Sequence, residues 1–171
     1  MFAQMQYRSY SIAGMDIAGD NMQEDFDSLK SDMTKGLMAH WHQIKGHKPM
    51  ASRLDFNPAE VEPQILPHII LFDVFYEPLD FRYRVVGTKV VRYSSRDYTG
   101  ENLSDIEHQR EGSHLWKMLK QTVLEQKPMV ACSPYAGPQK DFMASEDVLM
   151  PLTDEQGKVR YILAAVDFLS R

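Results

Sequence analysis

Six histidines and one cysteine are the side chains here best suited to metal or redox chemistry. Their spacing argues against both. His40 and His42 fall two apart in a helical stretch, so they point about 200° from one another and cannot share an ion. Helical ligand pairs stand four apart. With His47 they read as surface histidines. His68 follows Pro67 at the entrance to a strand and reads as a hydrogen-bonding residue at a sheet edge, with contact to a ligand as the alternative. His108 and His114 lie on or just before a second helix. Cys132 sits in Val130-Ala131-Cys132-Ser133-Pro134, a strand-like run where a lone thiol reads as buried and inert. It has no partner for an intrachain disulfide, which fits a reducing compartment. No Cys-x-x-Cys-His is present for covalent haem attachment.

Asp55, Asp73 and Asp80 with Arg53, Arg82 and Arg84 form a second chemical set. Paired carboxylates could do acid–base work. Arg82 and Arg84, however, alternate with Phe81, Tyr83 and Val85, the pattern of a strand with one wet face. Arg53 reads as pairing with a carboxylate to pin a connector on a sheet. Bidentate recognition of an anion is the alternative. Gly-x-Ser-x-Gly, phosphate-loop, dinucleotide and zinc signatures are absent from the sequence. The chain therefore reads as a non-enzyme, with no catalytic residue, no metal and no cofactor.

The elements that position these residues follow from periodicity. Residues 1–26 show no sustained pattern and read as a mobile arm. Leu29, Met33, Leu37, Trp41 and Ile44 recur at three and four, one stripe of an amino-terminal helix within 27–48. Asp27 or Ser28 can cap it; Gly46 and Pro49 stop it. A connector with four prolines runs from Pro49 to Pro67. His68 to Tyr76 and Phe81 to Val85 read as a hairpin across Glu77–Asp80. Ser104 and Glu107 have capping-box spacing. A helix ending at Gln126 carries Leu115, Trp116, Leu119, Val123 and Leu124. Met129–Tyr135, Phe142–Leu152 and Val159–Phe168 read as strands, the last two joined through Asp154–Gly157. Two hairpins separated by helices predict an α+β domain.

That order resembles the PAS sensory fold. Pro49-Met50-Ala51-Ser52-Arg53-Leu54-Asp55-Phe56-Asn57-Pro58 resembles the family's entry motif. Leu66 to Val74 is similar to its first strand, and Asp80 to Thr88 to its second. Asp97 to Leu103 is similar to the segment that follows, and Pro151-Leu152 with Asp154–Gly157 to its closing hairpin. The resemblance covers about Leu37 to Asp167 and points to a short, stand-alone branch typical of alphaproteobacteria. It implies five antiparallel strands with helices on one face, an amino-terminal helix, and a PAS-like domain over 49–171. It carries no catalytic residue. Some relatives bind haem through a histidine on the longer helix, which would fall to His114 here. The flavin-binding relatives use a cysteine in an Asn-Cys-Arg-Phe word that this sequence lacks.

The space between sheet and helices is then the default pocket. Alternation and helix stripe select Tyr83, Val85, Trp116, Leu119, Cys132, Met143 and Leu163 to line it, with a filled core as the alternative. The function expected is a sensory or regulatory module. It binds a small apolar or amphipathic ligand, an unidentified signalling protein, or both. A ligand-free interaction module is the runner-up. The chain ends just past the last strand, so an attached output domain is not expected. The amino-terminal stripe is expected to make a homodimer or else to fold back on its own sheet. A net charge of −5 with no basic run argues against nucleic acid. No apolar run reaches membrane-span length and no targeting signal is apparent, which predicts a cytoplasmic protein.

Overall fold

The computed structural model describes residues 27–94, 96–134 and 142–170, with the backbone alone at Pro134, Phe142 and Met143. The amino-terminal arm expected over 1–26 lies outside the described residues. In chain order the elements are α1 (Asp32–Lys45), β1 (Ala51–Ser52), β2 (Ile69–Phe75), β3 (Asp80–Val86), α2 (Thr88–Tyr93), α3 (His114–Glu125), β4 (Met129–Pro134), β5 (Phe142–Thr153) and β6 (Val159–Ser170). Three short 3-10 turns punctuate the connectors.

The sheet has six strands, not five, and is mixed. β5, β6, β2 and β3 follow one another in antiparallel pairs, and β4 pairs with the first half of β5. The extra strand, β1, runs parallel to the end of β5 through Ala51–Leu152 and Ser52–Thr153. Two residues inside a proline-rich connector give no period to read. Only their docking on β5 makes them a strand.

Helices cover both faces, which corrects the one-faced layout. On the inner face, α3 and the 88–112 segment cover Phe72, Phe81, Tyr83, Leu149 and Ile162. On the outer face, α1 and the connector cover Leu71, Val148, Met150, Leu152 and Leu163. Alternation along β5 and β6 divides successive residues between these two cores. Their middle stretches are accordingly apolar at nearly every position.

The α1 stripe is spent on the molecule's own sheet, the second of the two uses expected for it. Leu37, Met38 and Trp41 are buried, and Met33 and Ile44 partly so. Trp41 Nε1 donates to Pro151 O at 2.9 Å. Full burial of one such side chain contributes about 1.5–3 kcal/mol. The helix begins at Ser31, whose hydroxyl accepts from Met33 N, and not at Asp27 or Ser28. Similarly, α3 is capped by Ser113. The Ser104–Glu107 spacing makes no capping box, because Ser104 Oγ donates to Asp80 at 2.6 Å.

Close backbone approach fixes Gly87. Its N–H donates to Ile69 O at 2.7 Å. A Cβ there would sit 2.3 Å from Pro67 O. The β5–β6 turn uses Gly157 at φ +80, in the left-handed region.

Candidate functional site

Tyr83 projects from β3 onto the inner face because Phe81 and Tyr83 share one side of the pleat. Its ring stacks on Tyr98 at 5.6 Å and tilts against Phe72 at 4.8 Å. Its hydroxyl donates to Gln109 Oε1 at 2.8 Å. Burial, then the neighbouring Tyr98, raises its pKa well above the usual phenol range. Trp116 and Leu119 reach the same layer from α3, Trp116 meeting Phe81 edge to face at 5.2 Å.

The other four expected lining residues divide. A bulge places Arg84 between the Leu71–Val85 and Phe72–Tyr83 pairs. It turns Val85 away from Tyr83, and Val85 is 47% exposed. Leu163 belongs to the outer core under α1. Cys132 pairs across the strands with Glu146 and shares the outer face with Val130. Burial pushes its thiol pKa up, and Asp147 and Glu146 add to the rise. The Met143 side chain lies outside the described residues.

Two polar groups join the inner layer, Asp147, which the sequence reading passed over, and the indole N–H of Trp116, which it named only as an apolar lining residue. Asp147 stands two residues before inward-facing Leu149 and pairs with Val166, which packs on the inner core. Ser145 Oγ donates to it at 3.2 Å. Burial, with the adjacent Glu146 adding to it and the Ser145 hydrogen bond opposing, pushes its carboxyl up to about 7. The signal was legible as two adjacent carboxylates in an apolar strand, of which only one can face out. The second group is the Trp116 indole. Its Nε1 is buried with no acceptor among the described residues.

His40 departs from the surface reading, since it packs edge-on against Phe56 and its Nε2 is buried with no partner among the described residues. His68 Nδ1 lies 2.9 Å from Val166 O and 3.3 Å from Asp167. His114 is the first residue of α3 and exposed, so it does not face the inner layer. Among the described residues no three His, Cys, Asp or Glu side chains are grouped to hold a metal ion. Among the described residues Arg53 meets no carboxylate. It pins the connector through Phe56 O at 3.1 Å. Asp55 accepts from Ser52 and Lys48, and Asp80 from Phe81 N and Ser104. These carboxylates hold turns. No helix among the described residues is long and apolar enough to cross a membrane.

The family model described as a PAS domain matches residues 29–166. No curated protein matches the chain. Among solved structures, it is similar to a sensory box sensor histidine kinase from Vibrio cholerae at 12% identity and TM-score 0.47. That match covers 60% of this chain and 82% of the other. A LOV protein from Rhodobacter sphaeroides matches at 14% identity and TM-score 0.43, over 61% of this chain and 60% of that one. A fungal LOV domain photoreceptor matches at 10% and 0.44, over 67% and 81%.

Proposed function

The chain belongs to the PAS domain family, and from that premise we propose that it is a sensory module whose input is a small amphipathic ligand held between the inner face of the sheet and α3. The observation that carries this is Trp116 Nε1, buried in a largely apolar layer with no acceptor among the described residues. A buried donor without an acceptor costs about 1–3 kcal/mol. A ligand offering an acceptor atom to the indole recovers that cost. Tyr83, Gln109 and Asp147 supply further polar contacts on the same layer. The ligand class is therefore a small, mostly apolar molecule with at least one hydrogen-bond acceptor.

The response is a population shift. A ligand that prefers one packing of α3 on the sheet biases the domain toward it, by no more than its differential affinity for the two packings. The signal leaves through the surface to a partner protein. Among the described residues no convergent acid–base pair or activated nucleophile is assembled, which supports a non-catalytic role. A lone cysteine supports work in the cytoplasm.

The close ring packing of Phe72, Tyr83 and Tyr98 favours a second reading, a ligand-free interaction module. A homodimer through the amino-terminal helix has less support, because the apolar stripe is already covered by the sheet.

Denaturing mass spectrometry on an organic extract of the purified protein separates the two readings. A co-purified small molecule near equal stoichiometry, lost in Trp116→Phe, is the expected result. Its repeated absence from protein made in different hosts leaves the interaction module.

A further inference from the structure

Asp73 faces outward from β2, beyond the part of the sheet that α1 covers. Its side chain is only 7% exposed, and it holds two guanidinium groups at once. Arg82 gives it Nε at 3.0 Å and Nη2 at 2.7 Å, both to Oδ2. Arg84 gives Nε to Oδ1 at 2.6 Å. One carboxylate needs one cation. The second is a surplus, on a protein whose net charge is −5.

The surplus is held in place. Arg82 lies over the Phe75 ring at 5.0 Å, and Arg84 over the Tyr161 ring at 5.6 Å. Arg82 Nη1 and both Nη atoms of Arg84 have no partner among the described residues, although the side chains are only 41% and 46% exposed. They border a shallow hollow of about 320 Å³ that Phe75, Arg160 and Tyr161 also line. Phe75, 37% exposed, presents apolar surface within it. Pre-oriented arginine planes lose little freedom on forming a carboxylate fork.

Charge and shape together select the occupant. Arg82, Arg84 and Arg160 against Asp73 and Asp154 leave one net positive charge around the hollow. That suits a single carboxylate and disfavours a polyanion. The hollow is too open to enclose a free small molecule, so the carboxylate must arrive with other contacts. We infer that this patch docks a protein partner presenting an acidic side chain beside an apolar one. The inference rests on the reading of the chain as a signalling module, and it names the surface through which that signal leaves.

The test is an NMR titration of the full-length protein at fixed ionic strength, observing the arginine Nε–H groups and the Phe75 ring. The probes are acetyl-Leu-Glu-Leu-amide, acetyl-Leu-Gln-Leu-amide, acetate and inorganic phosphate. The acidic peptide is expected to give saturable shifts at Arg84 and Phe75. The Gln peptide and acetate should bind at least about tenfold more weakly, the loss expected for one charge-assisted hydrogen bond. Arg84→Gln, which leaves Arg82 on Asp73, should weaken the acidic peptide by a similar factor. Phe75→Ala should do so too, with the Arg84–Asp73 contact, which rests on Tyr161 and not on Phe75, left in place. Equal binding of the Glu and Gln peptides overturns the inference. So does phosphate binding as tightly as the peptide, which would make this a small-anion site. Absence of saturable shifts at Arg84 also overturns it. None of these outcomes depends on a ligand in the inner layer, so that reading stands or falls separately.

Discussion

The backbone N–H of Ser31 donates to Oε1 of Glu146 at 3.0 Å, joining residues 115 apart in the chain. The same carboxylate accepts from Lys30 N at 2.8 Å and from the Thr34 hydroxyl at 2.5 Å. One buried side chain on β5 thus ties down the first turn of α1, where backbone donors lack helical partners. Ser31 Oγ adds a bond to Asp167 on β6 at 2.6 Å.

Glu146→Ala should therefore loosen the start of α1 before the rest of the fold. Stability should fall by about 2–4 kcal/mol, because three donors lose a charged acceptor. Hydrogen exchange should quicken first across residues 30–38. Uniform acceleration across the whole sheet would show that the contact is not local to the helix.

The packing of α1 gives a second outcome. Leu37 is fully buried under its own sheet. Leu37→Ala should lower stability by about 2–5 kcal/mol with no change in molecular mass by light scattering. A halved mass with an unaltered thermal midpoint would place the stripe between two copies instead.

Asp147 sets a pH dependence. Its carboxyl is raised to about 7 in the fold, so the folded chain keeps a proton that the unfolded chain releases near pH 4. Its contribution to stability is best below that range. It declines as pH rises and levels off above about 7. Asp147→Asn removes the penalty, so the variant should exceed the parent at pH 8 and match it near pH 4. Thermal midpoints across that range decide it; a constant difference at all pH values would rule out titration of this group.

Arg82 and Arg84 should prove non-additive. Each alone leaves Asp73 one partner, so Arg82→Ala or Arg84→Ala should cost about 1 kcal/mol or less. The double substitution strands a buried carboxylate and should cost about 3–5 kcal/mol. Asp73→Asn should recover much of it. Simple additivity in urea denaturation would mean that Asp73 finds water as readily as arginine.

Local pattern was sufficient for the two longer helices and the long strands. The Leu37–Trp41 stripe, the Phe81–Tyr83 alternation and the Asp154–Gly157 turn all carry their signal within a few residues, because side-chain direction follows backbone period. The sequence motifs also carried the family resemblance. Tertiary structure decided the rest. The bulge at Arg84 reverses Val85, and nothing in an alternating run announces one extra residue. Leu163 lies one position along β6 from inward-facing Ile162. With both faces of that strand buried, hydrophobicity cannot tell the two sides apart. Whether the α1 stripe met its own sheet or another copy depended on the outer face being apolar too. That face comes into being only when β2, β5 and β6, distant in sequence, are laid side by side.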